Sequence, residues 1–167
     1  LFDTDAASSW NYFYSGPGNA AYTMARDASS EADTYYRGIA KLFLAWDFQI
    51  ITDLWGPAPY TDAFHPEIRE PKYDKQQFIY NGILANLDTA VTLFGSTSPV
   101  ARKITTQDLL FNGDMTRWNK LAHYLQARAQ LRLAYAPGED KVGRANKALA
   151  ALAGAFASNA DDADFIY

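Results

Sequence analysis

Apolar residues recur at three- and four-residue steps through most of the chain, and the pattern breaks where proline and glycine collect. From Glu31 to Leu54, Ile39, Leu42, Phe43, Trp46, Ile50 and Leu54 keep helical spacing. Leu44, Phe48 and Ile51 fall on another face, so this helix is expected to lie between neighbours. A long connection follows from Trp55 to Lys72, stiffened by Pro57, Pro59, Pro66 and Pro71. Asp74 is expected to cap a second helix whose Ile79, Ile83, Leu87, Ala90, Val91 and Phe94 form one stripe. A third helix is predicted from near Asp114 to about Tyr135 through Trp118, Leu121, Leu125, Ala129 and Leu133, with Pro137-Gly138 ending it. Val142, Ala145, Leu149, Leu152 and Phe156 predict a fourth, Ala-rich helix.

The ends carry a weaker pattern. Residues 1–30 read as irregular, with Ser8-Ser9 capping a short aromatic turn (Trp10, Tyr12, Phe13, Tyr14), Gly16-Pro17-Gly18 breaking it, and a brief helix over Asn19 to Ala28. Phe165-Ile166-Tyr167 reads as a strand-like stub. The expected architecture is all-α: one scaffold domain over 1–167, made of helix pairs at about 31–94 and 114–157 joined by long irregular connections. Trp118-x-x-Leu121-Ala122-x-x-Leu125 partly fits the large-x-x-Leu-Gly-x-x-Tyr pattern of tetratricopeptide repeats. Stacked helical hairpins of that kind usually bind partners along their length.

With 167 residues, 49% of them hydrophobic and 20% charged, the chain is long enough for one domain with a real core. A net charge of −4 and the lack of any basic stripe disfavour nucleic acid. Cysteine is absent, which removes disulfides and Cys-ligated metals. No apolar run approaches a membrane span. An aromatic content of 15% fits either carbohydrate and protein surfaces or a tyrosine-rich core. The opening on Leu1 without Met or signal sequence, and the apolar end, lead us to expect a piece of a longer protein.

Candidate chemistry is thin. His65 and His123 stand apart, neither with a carboxylate or second His at metal-ligand spacing, and no Gly-x-Ser-x-Gly or phosphate loop occurs. Asp53 and Asp62 have the residue types of a glycosidase pair, but a helix end and a turn acceptor explain them more simply. Asn159 to Asp164 looks superficially like a calcium loop, without the glycine at its sixth position, so neither a metal nor another cofactor is expected. Gly113 suits a tight turn with positive φ before the helix cap Asp114. Arg128 and Arg132 share a helix face, either pairing with an acidic neighbour or solvated.

Together these segments resemble the SusD/RagB-like outer-membrane nutrient-binding lipoproteins. The resemblance runs from Trp10 to Tyr167: Tyr36-x-Gly38-Ile39-Ala-Lys41, then Thr52-Asp53-x-Trp55-Gly56-x-x-Pro59-Tyr60-x-x-Ala63, then Pro71-x-Tyr73-Asp74. It continues through Asp108-x-x-Phe111-x-Gly113-Asp114-x-x-x-Trp118-x-Lys120-Leu121-Ala122, Ala127-Arg128 and Asn159-x-Asp161-Asp162. Ala58 and His123 stand where the family usually has valine and asparagine. The resemblance implies a tetratricopeptide-like scaffold, roughly the N-terminal third to half of a non-catalytic subunit. That subunit captures an oligosaccharide, sometimes a peptide, for a TonB-dependent SusC-like transporter. It would face the cell exterior, held to the outer membrane only by a lipid anchor upstream of Leu1. It also makes Trp10, Asn11, Tyr12 and Tyr14 the expected glycan contacts, since they match a region that supplies stacking aromatics in some members. The Trp55-Gly56-x-x-Pro59-Tyr60 corner is expected to be structural, with Gly56 ending the helix and Trp55 and Tyr60 folding back as anchors.

Overall fold

The computed structural model describes residues 3–164 and places six α-helices there: α1 (Asp3–Ser15), α2 (Pro17–Asp27), α3 (Thr34–Trp55), α4 (Gln76–Phe94), α5 (Met115–Leu133) and α6 (Lys141–Leu152). Helix α3 is the central element, packed against α2, α4 and α5, while α6 packs on α5. Its two apolar faces explain this: Leu42, Ala45, Phe48 and Ile51 are all buried. On α4 the whole stripe from Ile79 through Ile83, Leu87 and Ala90 to Phe94 is buried, and on α5 Trp118, Leu121, Leu125, Ala129 and Leu133 complete the same core. The C-terminal stub Phe165-Ile166-Tyr167 lies outside the described residues.

Three expectations are corrected. Residues 3–15 are not irregular but helical, while the brief helix expected over Asn19 to Ala28 is present as α2 and starts two residues earlier. Trp10, Phe13 and Tyr14 hold helical spacing on α1, and Pro17 starts α2 at the first helical position, where its missing N–H costs nothing. Gly16 marks the break, its N–H still donating to the Tyr12 carbonyl at 2.8 Å. Asp74 does not cap α4, which begins after Lys75 without a side-chain cap. Its carboxylate instead receives the Tyr60 and Thr61 amides at 3.3 and 2.7 Å. Finally, the stripe of α6 points outward: Val142, Leu149 and Leu152 are exposed and Ala148 is buried. The α5–α6 pairing rests partly on Arg144, which binds Glu139 and reaches Gln130 of α5 at 2.9 Å.

Two irregular connections are built as firmly as the helices. In the first, Gly56 at φ +76° ends α3, and Ala58 and Asp74 exchange backbone hydrogen bonds in an isolated antiparallel bridge. Tyr60 then folds back edge-on to Phe48, with ring centroids 4.6 Å apart. It lies so close to α4 that a Cβ on Gly82 would fall 2.1 Å from its hydroxyl. In the second, the Asp108 carboxylate gathers the amides of Leu110, Phe111 and Gly113 and the Trp118 indole N–H, at 2.7 to 3.1 Å. Gly113 has φ +80° and sits where any Cβ would meet the Ile104 carbonyl at 1.8 Å. Asp114 caps α5 as expected, accepting from the Thr116 and Arg117 amides. No helix among the described residues is long and apolar enough to cross a membrane.

Candidate functional site

The last turn of α3, the first helix and the proline-rich corner meet in a cluster of aromatic rings. Trp10 is half-buried; its ring lies 4.9 Å from Tyr14, 5.2 Å edge-on from Trp55 and 6.2 Å from Tyr73, with which it is nearly parallel. The Tyr14 hydroxyl donates to the Pro59 carbonyl at 2.7 Å. Burial pushes that hydroxyl's pKa well up, with the charges of Tyr73, Asp47 and Asp74 adding to it, so Tyr14 remains a donor. Helix α1 is thereby tied to the corner by one hydrogen bond and several edge-to-face contacts.

A cavity of about 530 Å³ opens beside this cluster. Trp10 and Tyr14 line it with Asn19, Asp62, Phe64 and His65. Flat apolar rings together with an amide, a carboxylate and an imidazole make a mixed lining suited to a polyol with apolar C–H faces. Asp62 accepts the Lys72 amide at 3.0 Å, and His65 contacts Glu67 at 3.0 Å, so both polar groups are positioned by the corner itself. Of the other residues expected at a ligand site, Tyr12 is 66% exposed and borders a neighbouring hollow with Phe13 and Leu54. Asn11 is exposed and lines neither cavity, its carbonyl accepting the Ser15 hydroxyl at 2.6 Å. Sequence reasoning passed over Asn19, and weighed Asp62 and His65 only as a catalytic carboxylate and a metal ligand. The available signal was the corner's own density of aromatic and polar residues, read as architecture only.

Asp47 of α3 lies beneath this surface. It is buried, its Oδ2 has no hydrogen-bond partner, and a Cβ on Gly18 of α2 would fall 2.3 Å from that oxygen. Burial raises its pKa to about 7.

The remaining motif residues serve the frame. Trp55 presents its edge to Phe13 and Trp10. Arg132 pairs with Asp53 across α5 and α3 at 3.3 Å while staying 59% exposed, and Arg128 is half-buried nearby on the same helix. His123, in place of the family's usual asparagine, contacts Gln126 at 2.9 Å, and Gln126 donates to Asp88 of α4 at 2.6 Å. Asp161 binds Lys120 at 2.5 Å and two backbone amides, which accounts for the acidic turn that looked like a calcium loop. Asp53 and Asp62 line different cavities, each engaged by a local partner.

Comparison with known proteins accords with this reading. A family model described as "SusD-like: starch-binding associating with outer membrane" matches residues 2–167. Among solved structures, one named a chitin-binding protein is 29% identical with a TM-score of 0.81, covering 98% of this chain and 34% of that one. A SusD/RagB family protein from Bacteroides thetaiotaomicron is 30% identical with a TM-score of 0.80, covering 95% of this chain and 33% of that one. A SusD-like protein from Bacteroidetes is 25% identical with a TM-score of 0.82, covering 99% and 30%. No curated protein matches. The chain thus spans about a third of the length of these solved structures. With the helical scaffold, the corner and the Asp108 loop all accounted for, the chain belongs to the SusD-like family.

Proposed function

We propose that this chain is the helical scaffold of a non-catalytic glycan-binding subunit, and that the cavity beside Trp10 and Tyr14 receives a sugar ring. One observation carries the reading: half-buried aromatic rings and the polar groups Asn19, Asp62 and His65 share one 530 Å³ cavity. The rings supply faces for C–H groups, and the polar groups pair with hydroxyls. Trp10 and Tyr14 are the stacking candidates, and Tyr12 and Asn11 extend the same surface outward. Sites of this kind are shallow, so useful affinity needs several contacts at once. In the whole protein, the captured oligosaccharide passes to a TonB-dependent SusC-like transporter. The subunit faces the cell exterior, held to the outer membrane by a lipid anchor on a preceding segment.

The test is a glycan array on the full-length protein, wild type and Trp10→Ala, with melting temperatures recorded in parallel. Wild type binds one class of oligosaccharide, and Trp10→Ala loses at least about tenfold in affinity while remaining folded. Absence of any glycan signal from wild type, or wild-type affinity in folded Trp10→Ala, overturns the reading. A second reading, a helical interaction scaffold without a ligand of its own, is favoured by the outward-facing Val142, Leu149 and Leu152 of α6. In that case the array stays blank for this segment, and charged substitutions on α6 disrupt partner binding.

A further inference from the structure

The last turn of α3 opens on two sides. Leu54 borders the hollow that also holds Tyr12. Its neighbour Asp53 lines a separate cavity of about 450 Å³ between the end of α3, the start of α4 and the end of α5. Tyr135 stands there 81% exposed, beside Pro137, with Gln76, Gln77, Tyr80 and Arg132 on the other walls.

The polar groups of this cavity are held in place. The Tyr80 hydroxyl donates to Asp53 Oδ1, and Arg132 Nε lies 3.3 Å from Oδ2. Burial, and then the Asp53 charge, keep the Tyr80 hydroxyl protonated against the opposing pull of Arg132 and Arg128. Gln76 donates its side-chain amide to the Thr52 carbonyl at 2.6 Å, which leaves its amide oxygen for another partner. Asp53 thus faces Arg132 as an ion pair without a hydrogen bond at Oδ2, while more than half of the arginine side chain remains exposed. A purely structural ion pair needs no exposed aromatic ring at its mouth and no pair of glutamines along its wall.

The electrostatics narrow the ligand. Arg132 and Asp53 cancel each other's charge, and the other lining residues are uncharged at neutral pH. A ring of hydroxyls finds a donor on Arg132, an acceptor on Gln76 and an apolar face on Tyr135.

We propose that this cavity is a second saccharide subsite, taking an uncharged sugar ring stacked on Tyr135 and hydrogen-bonded by Arg132 and Gln76. It rests on the glycan reading above and extends it. The two cavities share no lining residue, so on this proposal a short sugar fills only the first and a chain of several sugars reaches the second. Asp53 is a positioning residue here and performs no chemistry.

The deciding experiment is calorimetry on the full-length protein with chitohexaose and maltohexaose, each against its trisaccharide. Tyr135→Ala is the main variant, because its ring is exposed and its removal leaves the fold intact; Arg132→Gln is the second. The expected result is a loss of about tenfold in affinity for the hexasaccharide that wild type binds, with trisaccharide affinity and melting temperature unchanged. Wild-type hexasaccharide affinity in both variants, or an equal loss for both lengths, overturns the second subsite while leaving the glycan reading in place. Should wild type bind none of the four sugars but Trp10→Ala alter another glycan on the array, the test is repeated with the long and short forms of that glycan. A blank array overturns both readings together.

Discussion

Two carboxylates, Asp47 buried and Asp108 partly buried, divide the molecule between them. Asp108 sits in the loop before α5, and four N–H donors converge on it. Asp47 sits under the aromatic surface, with an oxygen that no group among the described residues bonds. Burial pulls both pKa values upward. At Asp108 the amides of Gly113, Phe111 and Leu110 and the Trp118 indole more than offset it, holding the carboxyl below its usual range. At Asp47 burial acts unopposed. The comparison teaches that one carboxylate site is finished and the other is not: four N–H donors meet Asp108, and Asp47 Oδ2 has no hydrogen-bond partner among the described residues.

The largest expected effect lies on the finished side. Gly113→Ala puts a Cβ into the Ile104 carbonyl at a positive φ, and should cost about 3–5 kcal/mol, read as a drop in denaturant midpoint. A change below about 1 kcal/mol would mean the loop is less rigid than its hydrogen bonds imply. Next comes Tyr60→Ala at the corner, which removes the contact with Phe48 and leaves a void against Gly82, for about 2–4 kcal/mol. Lost glycan binding with an unchanged melting temperature would instead make the corner a ligand surface in its own right.

The smallest effect has the opposite sign. Because the folded-state pKa of Asp47 is raised above that of the unfolded chain, the folded protein binds the proton more tightly. Stability should therefore fall as pH rises from about 4 through about 7. Asp47→Asn removes that loss and should stabilise the protein by about 1–2 kcal/mol at pH 8, with little change at pH 4. Asp108 works the other way: its contribution is present above the ordinary carboxylate range and is lost as pH falls below it. Equal pH dependence in wild type and Asp47→Asn would remove the contrast between the two carboxylates.

Helices α3, α4 and α5 were legible in the sequence because their apolar residues repeat over five or more turns and are mostly buried. Exceptions on α3 are informative. Leu54 keeps the spacing yet is 65% exposed, since the helix outruns its neighbours at that end. Helix α1 was hidden because its burial uses large aromatics that are only half covered, and the start of α2 was misplaced because Gly-Pro-Gly reads as a stop when Pro17 is in fact a start. The α6 stripe was visible, but periodicity does not say what an apolar face packs against. The ligand surface was half legible. Trp10 and Tyr14 could be named from the resemblance, whereas Asn19, Asp62 and His65 join them only through tertiary folding of the corner.

The Ala58–Asp74 bridge has a practical consequence. It closes residues 59–73 into a loop pinned at its base, so the ends stay fixed whatever happens in between. Pro66 to Glu70 at its tip are all exposed. Adding residues there increases closure entropy only slowly, by about 0.6 kcal/mol per doubling of length. Pro66 and Ile68 of this tip line the candidate cavity, so changes of length there reshape the cavity rim while the pinned base keeps the helices in place.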